Sequence, residues 1–484
     1  MAKKARTAIT PTREEDFPLW FQQVVKAADM AENSPVRGCM IIKPYGYALW
    51  ENMQGVFDGM IKALDVQNAY FPLLIPLDFI AKEADHIDGF AKECAVVTHH
   101  RLEDDGTGKL VPAGKLEDPY VIRPTSETII GDSMSRWVQS YRDLPLKLNQ
   151  WCNVMRWEMR TRLFLRTSEF LWQEGHNCFA TAPEAREDAL LMQESYRSFV
   201  EDYLALPVIK GEKTVDERFP GADATFTIEA MMQDGKALQA GTSHDLGQNF
   251  AKSSEIKFQG RDGNEHYAHT TSWGISTRLI GGMIMVHGDD DGMIMPPRVA
   301  PQQVTIIPIV KGETDETALF AYVDGIAAQL RGQGIRVHAD KREDTTPNKM
   351  WGCIKKGVPL RVEIGGREME AGELTHVRRD IGRDSKETCS IDTFLGKVEG
   401  LLEDIQTSMF NKAKTFMDTN IHDKASLDDL RSFFADEANI GFCKIDIRFW
   451  NTDEFNAICD EFSLTPRCMP IEDGGKTVLV GKAY

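Results

Sequence analysis

The chain has 484 residues, a formal charge of −18, 42% hydrophobic and 27% charged residues, which fits an ordinary globular protein of two to four domains at roughly 100–200 residues each. No apolar run approaches the ~20 residues of a membrane span, and the acidic balance argues against a bulk nucleic-acid coat while leaving room for a local basic site. Nine scattered cysteines without a CxxC pair point to neither a disulfide scaffold nor a common zinc knuckle, and reduced cytoplasmic thiols are the simplest account.

The start, MAKKARTAITP, is basic, lacks an apolar core and reads as a solvated end rather than a secretion signal. A helix is predicted from Pro44 to about Asp65, where Leu49, Met53, Val56, Phe57, Met60, Ile61 and Leu64 recur at three- and four-residue steps. AYFPLLIP then reads as an edge strand broken by proline. Together they form either a dimer surface or an ordinary core helix and strand; periodicity does not separate the two. Short extended segments fill 121–177, a helix opened by Pro183 covers 183–205, and strands rich in Thr, Ile and Gly return over 225–300. Strands around helices predict an α+β domain with a mostly antiparallel sheet. MPPRVAPQQV (295–304) marks a linker. Beyond it, VTIIPIV, a helix over 315–331, IRVHAD, a helix near 347–357 and PLRVEIG alternate as in a small α/β domain with a mixed or parallel sheet. Residues 336–386 are locally basic, with twelve Lys/Arg against nine Asp/Glu. The last segment, about 402–484, reads as separate and acidic.

Four stretches carry candidate chemistry. VMRWEMRTRLFLRTSEFLWQEGH (154–176) interleaves Arg156, Arg160, Arg162 and Arg166 with large apolar side chains. Strand alternation puts Arg156 and Glu158 on one face. They form a surface ion pair, worth little, or a site in which a guanidinium flanked by apolar groups keeps its charge and forks onto phosphate or carboxylate. In RPTSETIIG (123–131), Thr125 or Ser126 is a helix N-cap, or Thr125 and Glu127 grip an ammonium group. LQAGTSHDLGQNF (238–250) offers Gln239, Thr242, Ser243 and His244 as neutral hydrogen-bonding groups on a backbone that glycines open to close approach. TTSWGISTRLIGGMIMVHGDDDGMIMPP (270–297) places Arg278 one helical turn before Gly281–Gly282; its DDD reads as a solvated turn rather than a metal site.

Taken together these stretches resemble the class II aminoacyl-tRNA synthetases, and closely the prolyl-tRNA synthetase family of the archaeal and eukaryotic type. SPVRGCMIIKPYGYALWE with AYFPLLIP is similar to motif 1, RWEMRTRLFLRTSEFLWQEGH to motif 2 and HTTSWGISTRLIGGMIMVHGDDDGMIMPP to motif 3. KREDTTPNKMWGCIKKGVPLRVEIG resembles an anticodon-binding domain. The resemblance implies an α+β fold. A class II antiparallel catalytic sheet with helices spans 1–300, an α/β anticodon-binding domain 301–401, and a small α/β C-terminal domain 402–484. It implies activation of L-proline with ATP and Mg2+, release of pyrophosphate, and transfer of proline to the 3′ end of tRNA(Pro) by a cytoplasmic homodimer.

Carried onto this sequence, the resemblance assigns Arg156 and Arg278 as the catalytic cations. ATP falls to Arg156, Glu158, Arg166, Thr167, Gln239, Thr242 and Arg278. Proline falls to Thr125, Glu127, Arg156, Trp172, His176, His244 and Ser272, with Trp172, His176 and His244 walling the ring. Glu229 is the candidate Mg2+ ligand; Glu363, Arg378 and Arg379 are candidate tRNA contacts. A missing methylene in such a pocket is worth only about 1–3 kcal/mol, so misactivation of small amino acids is expected. About ninety residues separate His176 from Thr270, too few for the editing insertion of some relatives, so any editing acts in trans. No zinc site is expected: Cys443 lacks its partner cysteine and DGGKTVLVGKAY lacks the terminal pair. Two rivals remain: a threonine or serine enzyme, against which Trp172 and Glu127 speak, and a non-catalytic relative, which should have lost Arg156 or Arg278.

Overall fold

The computed structural model describes residues 7–82, 93–312 and 314–484; residues 1–6 of the expected solvated start lie outside them. Helix α1 (Phe17–Ala27) is capped by Asp16, which accepts from the Leu19 amide. The short strands β1 (Ala31–Asn33) and β2 (Met40–Ile42) lead into α2 (Pro44–Lys62). Its predicted stripe buries Leu49, Met53, Phe57 and Ile61 in the largest core, so that stripe faces the chain's own interior. Strands β3 (Gln67–Asn68) and β4 (Leu74–Pro76) and helix α3 (Leu77–Lys82) follow. β4 is the edge of a three-stranded sheet with β5 (Ala95–Asp104) and β6 (Leu110–Ile122), where the absent N–H of Pro76 costs least.

Next come α4 (Glu127–Trp137), β7 (Leu146–Met155), β8 (Glu169–Phe179), α5 (Ala182–Leu204), β9 (Val208–Glu212), β10 (Ala224–Met231) and β11 (Ala237–Asp245). Then come α6 (Asn249–Ser253), β12 (Lys257–Gln259), β13 (Glu265–Tyr267), β14 (His269–Ser276) and α7 (Arg278–His287). Strands β9-β10-β11-β14-β8-β7 pair antiparallel in that order. Alternation gives this sheet two unlike faces. Ile228, Ala230, Trp273 and Ile275 turn toward the core that holds α2 and α5, where Phe57 stacks on Tyr196 at 5.2 Å. The other face carries Trp172, Glu174 and His176 opposite Ser276, Gly274 and Ser272.

The second unit contains β15 (Val304–Ile309), α8 (Glu316–Gly332), β16 (Val337–Ala339), α9 (Thr346–Lys355), β17 (Leu360–Gly365), α10 (Gly366–Ala371), β18 (Glu373–Arg378) and β19 (Glu387–Ser390). Its sheet is mixed, in the order β16-β15-β17-β18-β19, with β15 parallel to β16 and β17. Helix α11 (Ile391–Thr419) runs through the expected boundary at 401–402: Phe394, Val398, Leu402 and Ile405 pack in the core of the second unit, Met417 in the next cluster.

The last segment holds β20 (Ile421–Lys424), α12 (Leu427–Ala435), β21 (Phe442–Asp446), α13 (Asp453–Phe462), β22 (Thr465–Pro470) and β23 (Thr477–Gly481). It is not separate. β22 pairs with β9 through Met469–Glu212 and Pro470–Gly211, extending the sheet of the first unit to eleven strands. Arg467 of β22 reaches Glu229 of β10 with two nitrogens at 2.8 and 3.1 Å, and Lys213 meets the other carboxylate oxygen at 2.9 Å. Burial pushes the Glu229 carboxyl up, but the two cations outweigh it and hold it below its ordinary value.

The Glu229 reading is therefore corrected: both its oxygens are committed to Lys213 and Arg467, the residue is fully buried, and it does not fit a Mg2+ ligand. Cys443 and Cys468 are buried core members, and burial raises both thiols to about 12. Among the described residues no disulfide joins any of the nine cysteines. Among the described residues no helix is long and apolar enough to cross a membrane. Arg467→Met should destabilise the protein by about 2–3 kcal/mol, less than the ~3–5 kcal/mol of leaving a buried charge wholly unpaired because Lys213 remains; urea denaturation measures it.

Candidate active site

Two joined cavities open on the polar face of the sheet. One, of about 290 Å³, is lined by Thr125, Glu127, Trp172, His176, Gln239, Thr242, His244 and Ser272. The other, of about 270 Å³, is lined by Glu158, Arg166 and Thr167. Arg156, Phe170, Ser276 and Arg278 line both. Every residue expected to meet proline or ATP thus lies in one cavity or both.

The loop 156–168 positions the cations. It leaves the sheet after Met155, so Arg156 and Glu158 do not share a strand face as the alternation suggested. Its two ends stay tied: the Arg156 amide donates to the Ser168 carbonyl at 2.8 Å, and the Trp157 amide to the Glu93 carbonyl at 2.8 Å. Arg156 Nε donates to the Pro124 carbonyl at 2.9 Å, and its guanidinium lies 5.7 Å from the Phe170 ring and 5.5 Å from Trp172. Burial pulls its pKa below the ordinary arginine value, against the opposing pull of Glu127, Glu174 and Glu93. Arg278, at the start of α7, donates Nε to the Leu165 carbonyl at 3.1 Å. Burial first, then Arg166 and Arg156, lower it to about 10, so it remains a cation at neutral pH. Arg166 meets Glu158 at 3.2 Å near the mouth of the smaller cavity.

The hydroxyls of RPTSE are not helix caps. Ser126 stands at the N-cap position of α4 without a capping bond and donates instead to Glu174 at 2.5 Å. Thr125 donates to Glu127. Glu174, absent from the sequence assignment, is the hub beneath the larger cavity. It accepts from Ser126 and Gln150 and faces His176 at 3.0 Å. Burial raises its pKa, but His176, Ser126 and Gln150 together bring it below its ordinary value. For His176 burial lowers the pKa, and Glu174 and Glu127 raise it further than that. His244 differs: burial, then repulsion from His176, takes it down to about 3. Its ring lies 4.6 Å from Phe219, and Nδ1 is 3.0 Å from the Thr225 hydroxyl. The expected ring wall is therefore split between neutral His244 with Phe219 and a His176 held against the Glu174 carboxylate. Ser272 is buried, and its hydroxyl has no hydrogen-bond partner among the described residues. Gly175 packs on Trp273, with a Cβ there coming within 2.0 Å of the indole, which is why WQEGH needs glycine.

A third cavity, of about 520 Å³, lies between α9 and the sheet of the second unit and is lined by Trp351, Arg361, Glu363, Arg378, Arg379 and Lys386 among others. Glu363 bridges Arg361 at 3.0 Å and Lys386 at 3.1 Å, and Arg378 pairs with Asp380 at 2.8 Å. Arg379 lines the same cavity and has a second task. Its guanidinium forks onto Asp289 at 2.6 and 2.8 Å, joining the second unit to the catalytic one. Asp290 pairs with Arg13 and Asp291 accepts from the Ala8 amide, so DDD is a junction and not a solvated turn.

An antiparallel sheet bearing fixed arginines over joined cavities, followed by a mixed α/β unit, defines a class II aminoacyl-tRNA synthetase. Residues 113–287 match the tRNA synthetase class II core domain (G, H, P, S and T) and residues 303–401 the anticodon binding domain. A proline--tRNA ligase of Bdellovibrio bacteriovorus is 54% identical over 99% of this chain and 97% of its own length. One of Paramagnetospirillum magneticum is 52% identical over 98% and 96%. The solved structure of prolyl-tRNA synthetase from Cryptosporidium parvum complexed with halofuginone and AMPPNP superposes with a TM-score of 0.89 at 37% identity, covering 99% of each chain. The chain belongs to the prolyl-tRNA synthetase family. These curated relatives are bacterial, and the archaeal and eukaryotic type expected from the sequence is not borne out by them.

The two histidines separate under titration. His176 stabilises the fold fully below its ordinary 6.5 and loses that contribution as pH rises through its raised value; Glu174 contributes above its ordinary 4.5 and loses it as pH falls. Histidine NMR should therefore show His176 still protonated above pH 6.5, while His244 stays neutral down to about pH 3.

Proposed function

We infer that this chain joins L-proline to tRNA(Pro) in two steps within the paired cavities, with catalysis in 1–300, anticodon binding in 301–401 and a C-terminal module in 402–484. One observation carries the assignment of roles: Arg156 and Arg278 line both cavities at their junction. Activation brings a carboxylate against the α-phosphate of ATP, so two anions must meet, and fixed cations with good positioning supply most of the acceleration.

In this reading the proline ammonium lies against Glu127 and Thr125. The ring rests among Trp172, His244 and Phe219, and the unpartnered Ser272 hydroxyl and His176 face the remaining polar edge. Glu158, Arg166 and Thr167 take the adenosine side of ATP. Gln239 and Thr242 complete the nucleotide's surroundings, and Arg278 takes the terminal phosphates. Arg156 bridges the proline carboxylate and the α-phosphate. A carboxylate oxygen attacks phosphorus, pyrophosphate leaves, and the 3′-terminal tRNA hydroxyl then attacks the prolyl carbonyl with AMP departing. Magnesium is expected to travel with the ATP phosphates; Glu229 does not hold it. Glu363, Lys386 and Arg378 suit hydrogen bonding to anticodon bases, and Arg379 supports the cavity from behind.

Proline-dependent ATP–pyrophosphate exchange tests the reading directly. Exchange with proline and not with threonine is expected, and Arg156→Ala should lower it by about 10²–10³-fold with an unchanged circular dichroism spectrum. Near-normal exchange in that variant would remove Arg156 from its role.

A cytoplasmic homodimer is part of the same proposal. Tyr70, Leu74, Leu77, Val96 and Tyr120 are exposed on and around the β4-β6-β5 sheet, an apolar grouping that a second copy would cover. Sedimentation should give about twice the 54.5 kDa chain mass, and Tyr70→Asp should shift the protein toward monomer.

A further inference from the structure

On the back of the anticodon-type sheet lies a cluster that the reaction does not use. His376 of β18 stands directly opposite Glu387 of β19, and Cys389 follows two residues on, on the same face. Each offers one ligand atom, and the three atoms lie within 4.8 Å of one another. His376 is 1% exposed, its ring rests on Phe394 at 5.3 Å, and neither ring nitrogen has a hydrogen-bond partner among the described residues. Buried polar atoms are ordinarily satisfied, and an orphaned imidazole is costly to keep. Its Nε2 is 3.5 Å from the Glu387 carboxylate, within reach of charge but too long for a hydrogen bond. The thiol of Cys389 is free and half-buried.

We propose that His376, Glu387 and Cys389 form a three-ligand site for a borderline-soft divalent cation, Zn2+ in the first instance. Imidazole with thiolate selects that class over Mg2+ or Ca2+, which take oxygen ligands. Three protein ligands leave a fourth, tetrahedral position for water, and the half-exposed Glu387 opens the site to solvent. A tetrahedral ion at ~2.0–2.3 Å from its ligands holds them about 3.3–3.8 Å apart, so the cluster closes by about 1 Å through side-chain rotation of Glu387 and Cys389. Lys397 is the built-in competitor: its ammonium sits 2.6 Å from the other Glu387 oxygen and reaches Cys389. The site departs from the expectation of no zinc, which rested on cysteine spacing and could not show a histidine brought in from the neighbouring strand. Its place matters for the front of the sheet, because Lys386, next to Glu387, reaches Glu363 in the cavity proposed for tRNA.

The test uses the full chain, stripped with chelator and titrated with Co2+ as the spectroscopic probe, then with Zn2+. One equivalent should bind with d–d bands and a sulfur-to-cobalt charge-transfer band, and Zn2+ should displace it. Cys389→Ser should remove the charge-transfer band, and His376→Gln should weaken binding by at least the about 10–100-fold that even outer-shell changes cost. Lys397→Met should tighten binding, a gain that no folding defect produces. A charge-transfer band that survives in Cys389→Ser would place the ion on another cysteine and overturn the proposal. So would binding weakened by Lys397→Met, or less than one equivalent bound at micromolar Co2+.

Discussion

Holding guanidinium groups charged while partly withdrawn from water is the constraint that shapes this protein. A desolvated cation is expensive, and each arginine at the cavity junction is accordingly anchored by backbone: Arg156 through the Pro124 carbonyl, Arg278 through that of Leu165. These anchors use one nitrogen of each fork, so the anchored side chain is oriented as well as stabilised. Glu127, Glu174 and Glu93 lie near enough to oppose the loss of charge on Arg156. The two-faced sheet makes the arrangement affordable: one side is a continuous apolar core around α2 and α5, and the other is free to be polar.

Much of this was legible in the sequence, and what was not has physical reasons. Helices α2, α5, α8 and α9 fall close to their predicted spans because an apolar stripe at helical period is a local signal. The resemblance placed the cavity residues, and the geometry gathers them. Alternation misled at Arg156–Glu158, because the chain turns away at a bond to Glu93, a residue remote in sequence. Glu174 was written in the same alternation as Trp172 and His176, yet nothing local says that a strand glutamate is buried under four hydrogen-bonding neighbours. Glu229 failed for the complementary reason: Arg467, which claims it, lies 238 residues away.

The second unit shows how a charged residue changes meaning with its partner. Arg378 and Arg379 are adjacent and chemically identical, but one pairs within its own strand end and the other crosses to Asp289. The acidic run at 289–291 distributes its carboxylates over Arg379, Arg13 and the Ala8 amide. A sequence reader sees a polar loop; the structure makes it the hinge pin between amino-terminal, catalytic and anticodon-type parts.

The pairing of β22 with β9 bears on how such a chain can change over evolutionary time. A module appended after a long helix looks like a cassette, exchangeable by recombination at the helix. Here the cassette donates a strand to the catalytic sheet and an arginine to a glutamate at its centre. An exchange that brought in another C-terminal unit would leave Glu229 with one cation and β9 with an open edge. A recombinant that keeps Glu229 fully paired therefore has to carry both halves of that contact together.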